Sequence, residues 1–193
     1  MEDPIEYVYV QDRCIINQRE VGCDVRDFSK ALRAILRADA NVILIGELRD
    51  LETMSTAMTA AETGHLIFAT LHTNDSAQTI DRIIDVFPSY QQNQIRTQLA
   101  SSLLGVISLR LLPRIGGGRV PAYEIMPKNH AVENLIRENK TFQIDSVIET
   151  GIREGMMPLD RSLADLVQRG VVDVEDALRY TKNEDYFRML VSG

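Results

Sequence analysis

Two polar groups stand where apolar runs stop, and both are of types suited to phosphate chemistry. Glu47 follows Val42-Ile43-Leu44-Ile45 and Gly46, and His72-Thr73 follows the run 66–71. Ligands of open α/β sheets bind beyond the carboxyl ends of the strands. An acid set just after four aliphatics has the form of a Walker B segment, which organises Mg²⁺ and water around a nucleotide phosphate. Taken singly, that pattern also describes a solvated or helix-capping carboxylate. A third cluster, Glu2-Asp3-Pro4-Ile5-Glu6, puts three carboxylates into five positions. Such a cluster attracts a hydrated cation or takes a proton from water; its plain alternative is a solvated segment.

Other chemistries are excluded by what is missing. His65 and His72 bracket one strand, and their odd spacing puts them on opposite faces, so they do not share a metal. There is no H-E-x-x-H, and His130 stands by itself on a polar helix start. Cys14 and Cys23 are the two cysteines, which rules out a four-cysteine zinc site and reads as two small reduced residues. No G-x-S-x-G marks a serine hydrolase. No G-x-x-x-x-G-K-[ST] occurs either, and none of the four lysines follows a glycine loop. Gly116-Gly117-Gly118 runs into Arg119 between two strand-like stretches and is expected to be a hairpin turn. Within these 193 residues a bound nucleotide would find no phosphate loop. The net charge of −7, from 28 acids and 21 bases without a basic stripe, makes nucleic acid a poor partner. The apolar runs are too short to cross a bilayer, and no basic, apolar leader indicates secretion.

The positioning elements are legible in the periodicity. Asp27 is placed to cap a helix with Phe28, Ala31, Leu32, Ile35 and Leu36 on one face. Residues 42–45 form a short apolar run of the kind buried in parallel sheets. A helix carrying Leu51, Met54, Met58 and Ala61 follows, stopped at Gly64, and a second buried strand is expected over 65–72. Asn74 or Asp75 then caps a helix bearing Ala77, Ile80, Ile83, Ile84 and Phe87, halted by Pro88. Ser89 and Gln92 have the spacing of a capping box for a helix running to about 106. Strands are expected over 108–113 and 119–126. Beyond lie five helices, over 129–139, 142–150, 158–169, 173–181 and 183–191. Strand–helix alternation followed by helices gives an α/β domain over 1–126 and a small helical subdomain over 127–193.

Four segments together resemble the secretion ATPase superfamily that drives type II secretion and type IV pili. They are Glu2-Asp3-Pro4-Ile5-Glu6 (its aspartate box), Ile45-Gly46-Glu47-Leu48-Arg49-Asp50 (its Walker B), Thr63-Gly64-His65 through Thr70-Leu71-His72-Thr73 (its histidine box), and the helix from Ala131. Within the superfamily, Ala131-Val132-Glu133-Asn134-Leu135-Ile136-Arg137-Glu138 is similar to the signature Ala-Ile-Arg-Asn-Leu-Ile-Arg-Glu of pilus retraction ATPases. Val132 and Glu133 depart from it, as does Ala69 where the histidine box commonly has Gly. Extension and type II secretion ATPases usually carry a four-cysteine insert that this chain cannot form.

The resemblance implies the second half of a RecA-like P-loop ATPase core followed by a small all-helical C-terminal subdomain. A PAS-like domain and the half with the phosphate loop would precede Met1. The implied activity is ATP hydrolysis for pilus retraction and twitching motility, by a homo-hexamer in the cytoplasm acting on an inner-membrane pilus platform protein. The implied cofactors are ATP and Mg²⁺. Glu47 would organise Mg²⁺ indirectly, through water. Glu2, Asp3 and Glu6 would complete an acidic side, with one of them as a base; His72 with Thr73 would sense the γ-phosphate. His65 would support that box, Gly46 would lie against the nucleotide, and Arg49 would orient the Walker B loop. On this reading, residues 1–193 do not hydrolyse ATP by themselves. Two rivals are a non-hydrolysing ring or adaptor subunit and an extension or secretion ATPase. In helix 129–139, Glu133, Arg137 and Lys140 are expected to face outward.

Overall fold

The computed structural model describes residues 1–192. The strands and helices run α1 (Phe28–Ile35), β1 (Val42–Ile45), α2 (Leu51–Glu62), β2 (Leu66–Ala69), α3 (Ser76–Asp85), α4 (Ser89–Ser102), β3 (Gly105–Pro113), β4 (Arg119–Pro127), α5 (His130–Arg137), α6 (Ile144–Thr150), α7 (Leu159–Gln168), α8 (Val174–Leu178) and α9 (Glu184–Ser192). The chain divides into two compact units. One comprises Met1–His72 and Asp85–Ser102, and the other Thr73–Ile84 with 103–193. That division differs from the expected boundary near residue 127. Leu112 of β3 and Ala122 of β4 are buried with Leu159, Leu163, Leu166 and Phe187, so the hairpin shares its core with the helices.

In the first unit, β1 and β2 pair in parallel with Val42 opposite Leu66 and Ile45 opposite Ala69. Ile43 and Ile45 are buried with Leu32, Ala31 and Ala57, while Val42, Leu44, Leu66 and Phe68 are exposed. The expectation of strands buried on both faces is therefore corrected. An apolar run marks a strand without saying which of its faces the chain covers, and here only one is covered. β2 is also shorter than the expected 65–72. Alongside β1 lies the segment at residues 1–2, where Gly46 N–H donates to Met1 O at 2.8 Å and Glu2 bridges in parallel to Glu20. Asp27 caps α1 through the Lys30 N–H, as expected. Asp50 caps α2 by accepting from the Thr53 N–H and hydroxyl. The expected capping box at Ser89 is absent: Ser89 is already helical, and the Gln92 side chain donates to the Phe87 carbonyl. α4 ends at Ser102, short of 106, because β3 begins at Gly105.

In the second unit, β3 and β4 form an antiparallel hairpin with Pro113 opposite Arg119. Its turn passes through Gly116, Gly117 and Gly118, all with φ between 77° and 106°, a region that side-chain-bearing residues rarely adopt. The hairpin reading of the triple glycine holds. Asp75 caps α3 by accepting from the Gln78 N–H. The five expected helices form, the first four each two to four residues shorter than its periodicity and the last shifted by one, and α6 is preceded by a 3₁₀ turn over Thr141–Gln143. Among the described residues no helix is long and apolar enough to cross a membrane.

Candidate active site

β1 ends at Ile45, and the chain leaves the sheet edge through Gly46 and Glu47 before α2 starts at Leu51. Backbone pairing holds this exit in place. Leu48 N–H donates to the Thr70 carbonyl at 3.0 Å, and the Thr70 hydroxyl donates to the Gly46 carbonyl. The carboxyl ends of both strands are thus tied together, which brings His72 to Glu47. His72 Nε2 lies 3.1 Å from Glu47 Oε1, and Arg49 Nη2 lies 2.5 Å from Glu47 Oε2. The Glu47 side chain is 18% exposed, whereas that of His72 is 83% exposed. The hydrogen bond from Arg49 holds the Glu47 carboxyl below the usual carboxylate range; partial burial opposes the shift, and the charges of Arg49 and His72 add to it. Glu47 raises Arg49 in turn, by its hydrogen bond and then its charge; partial desolvation opposes this and Asp3 adds a smaller push.

Gly46 shows how tightly the aspartate-box segment lies against this strand end. A Cβ there would meet Glu2 Cα and Met1 O at 3.1 Å and Glu2 Cγ at 3.5 Å. Two of those atoms are backbone, so the neighbour has little room to give. Glu2 thus lies beside the residue before Glu47, and its Oε2 accepts from Gln18 Nε2 at 2.9 Å. Glu20, from the segment paired with Glu2, accepts from the Ile5 N–H at 3.0 Å. Asp3 is exposed and within electrostatic reach of Arg49. Glu6 is exposed further along, outside this set of contacts.

The structure therefore gathers Glu2, Asp3, Gly46, Glu47, Arg49 and His72. It does not gather His65. That ring sits at the opposite end of β2, where Nδ1 lies 3.1 Å from the Ala60 carbonyl and 3.3 Å from the Thr63 hydroxyl, at the C-terminus of α2. Thr73 belongs to the other compact unit, its hydroxyl 2.7 Å from that of Thr79. Thr70 lies within the histidine box, but no local pattern gives it or Gln18 a role, since their contacts with Gly46 and Glu2 depend on register between segments distant in sequence.

Residues 1–117 match the family model described as type II/IV secretion system protein. The chain belongs to that family. The match includes every residue of the strand-end site, so the type II/IV secretion family supplies a frame for Glu47, Gly46 and His72 together. Within this family, the chain is 51% identical to the type IV pilus retraction ATPase PilT of Pseudomonas aeruginosa, over 97% of its own length and 54% of the relative's. It is 50% identical to a twitching motility protein of Neisseria gonorrhoeae, over 96% of its length and 50% of that protein's. The crystal structure of the pilus retraction motor PilT with bound ADP superposes with a TM-score of 0.88 at 49% identity, over 97% of this chain and 53% of that one. The chain spans about half the length of these relatives. The expected fold class, the second half of this ATPase core with its following helices, is the one found.

Proposed function

We propose that residues 1–193 carry the Walker B acid of a type IV pilus retraction motor, and that the complete protein hydrolyses ATP to withdraw pili in twitching motility. The observation that carries this reading is Glu47, a carboxylate held charged at a parallel-strand end by Arg49 and faced by an exposed histidine. Relatives named as a retraction ATPase and a twitching motility protein, each at about half identity, support the direction of the motor. The ADP named with the solved motor supports a nucleotide substrate.

The donor set fits Mg²⁺. Among the described residues no three His, Cys, Asp or Glu are grouped to hold a metal, and Mg²⁺ needs no such cage: it keeps its waters and binds through one or two carboxylates plus substrate phosphates. When bound, it would neutralise charge on the phosphate oxygens. Glu47 would reach it through water. A carboxylate with a lowered pKa is a weak proton acceptor and a good orienting group, so Glu47 holds the attacking water in line. Glu2, beside Gly46, is the better placed acid to take the proton, with Asp3 and Glu6 adding negative potential. Arg49 keeps Glu47 in one rotamer. His72 is free to swing to the γ-phosphate, Thr73 fixes the peptide that follows it, and His65 anchors the strand's far end. The phosphate cradle comes from outside residues 1–193.

The working form on this reading is a homo-hexamer in the cytoplasm at the inner-membrane pilus base, pulling on the platform protein. A chimera tests it: residues 1–193 replace the matching half of the Pseudomonas aeruginosa relative in a strain lacking its own. Restored ATP turnover and twitching are expected. Turnover without twitching would make the chain an extension or secretion motor; neither would leave an adaptor.

A further inference from the structure

A second charged network lies in the unit that holds the hairpin and the helices. Glu124 shares a face of β4 with Ala122 and Met126, and all three are buried. A buried carboxylate requires partners. Glu124 Oε1 accepts from the Ser76 N–H at 2.9 Å and the Ser76 hydroxyl at 2.7 Å, and Oε2 accepts from Lys182 Nζ at 2.8 Å. Lys182 also donates to Asp145 at 2.8 Å and lies 3.9 Å from Asp75. The backbone around it is fixed from α7, where buried Asp160 accepts from the Thr181 hydroxyl and from the N–H groups of Lys182 and Asn183, all at 2.8–2.9 Å. Burial disfavours the ammonium, yet Asp145 and Glu124 outweigh it and hold Lys182 above the usual lysine range.

This network anchors the start of α3. Ser76, its first residue, comes four positions after His72. Between them the chain is clamped to the same helix: the Thr73 hydroxyl bonds that of Thr79, and Thr79 donates to the Asp75 carbonyl at 2.8 Å. The compact units divide between His72 and Thr73. The histidine facing Glu47 therefore belongs to one unit, and the residue bonded to it in the chain belongs to the other.

We propose that Lys182 is a positioning residue for His72: through Glu124 and Ser76 it fixes the start of α3, and with it the Thr73 end of the peptide that carries the histidine. The helical unit thereby sets how His72 is presented, across one covalent step. This rests on the proposed role of His72 at the γ-phosphate.

The chimera described above carries the test, with Lys182→Met and Lys182→Arg made in the presence and absence of His72→Ala. Lys182→Met should lower kcat roughly three- to tenfold and leave KM for ATP within about twofold; Lys182→Arg, which keeps the cation, should recover most of the loss. In the His72→Ala background, Lys182→Met should change nothing further. An equal loss in both backgrounds, or no loss in either, overturns the proposal. Should Lys182→Met fail to fold, Glu124→Gln carries the same cycle, since it keeps an acceptor for Ser76 and removes the charge that holds Lys182. Absence of turnover in the unsubstituted chimera counts against the proposed function instead. Amide exchange over 73–78 in the same protein then decides the anchoring: faster exchange in Lys182→Met is expected, and unchanged exchange overturns it.

Discussion

Glu47 and Glu133 are built from nearly the same parts. Each carboxylate is mostly covered, with 18% and 13% of its side chain exposed, and each is gripped by an arginine and a histidine. Both are held below the usual carboxylate range. For Glu133 the first cause is the hydrogen bond from Lys128, opposed by partial burial and aided by His130 and Arg137. The difference is where the partners come from. Those of Glu133 lie within five positions along one stretch of chain, so the cluster fastens α5 to itself and to Lys128. The partners of Glu47 include His72, which only the pairing of β1 with β2 can deliver, and Glu47 stands where a strand stops rather than on a helix. The same ion-pair chemistry staples a helix in one place and, on the proposed reading, frames a reaction in the other. It also corrects an expectation: Glu133 does not face outward beside Arg137 and Lys140 but turns back into a cluster.

The largest contrast concerns completeness. Residues 1–193 in isolation should show no ATP turnover and should not bind Mg²⁺-ATP with micromolar affinity, because backbone N–H groups and a lysine at the phosphates supply most of that grip. Calorimetric titration of the isolated chain reads this directly, and a micromolar isotherm would locate the cradle within these residues. In the active chimera, Glu47→Gln should lower kcat by roughly a hundred- to ten-thousandfold with nucleotide affinity kept. His72→Ala should cost less, about tenfold, since a histidine that positions charge is partly replaced by water. A Glu47→Gln variant with near-normal turnover would erase the distinction between the two glutamates.

How much of this was legible varies with how local the cause is. β1 over Val42–Ile45 and the Asp27 cap were read correctly because an apolar run and a side chain three residues from its N–H are local signals. The exposure of Val42, Leu44 and Phe68 was not, since a continuous apolar run carries no parity to mark its covered face. Glu47 was legible as a strand-end acid. Its pairing with His72 was not legible even with the family resemblance, which gave the two separate roles, because they are joined by strand register across a 25-residue gap. Glu124 could have been found: it falls between Ala122 and Met126 in strict alternation, and an acid on the core face of a strand demands a cation. Its cation, Lys182, lies 58 positions away, with no local pattern to point to it.

The α5 cluster gives the next, smaller effect. Glu133→Gln should change turnover in the chimera by less than about twofold, as expected of a group whose charged partners all lie within five positions along its own stretch of chain. Arg137→Ala removes only the longest of the Glu133 pairs, at 3.8 Å, and should likewise spare turnover. If α5 passes motion to the platform, as its retraction-type signature implies, twitching should nonetheless fail in that variant at normal protein abundance. Full twitching would reduce α5 to packing.

The smallest effect is also the one in which the two glutamates should agree. Each has a folded pKa below its unfolded value. As pH falls through the ordinary carboxylate range, about 4 to 5, the unfolded chain takes up protons first and the folded state loses ground. The stabilisation is complete above the unfolded pKa and is lost as pH falls through the folded one. Glu47→Gln and Glu133→Gln should therefore each flatten the acid side of the stability curve slightly and by similar amounts, although only the first should lower turnover strongly. Urea midpoints of the chimera and both variants, taken from about pH 7 down to about pH 3, measure this. An unchanged slope in Glu133→Gln would mean that the α5 cluster opens in solution. An unchanged slope in Glu47→Gln alone would mean that Arg49 lets go of Glu47 there, leaving that carboxylate a stronger base than the lowered pKa allows and returning the proton-accepting role from Glu2 to Glu47.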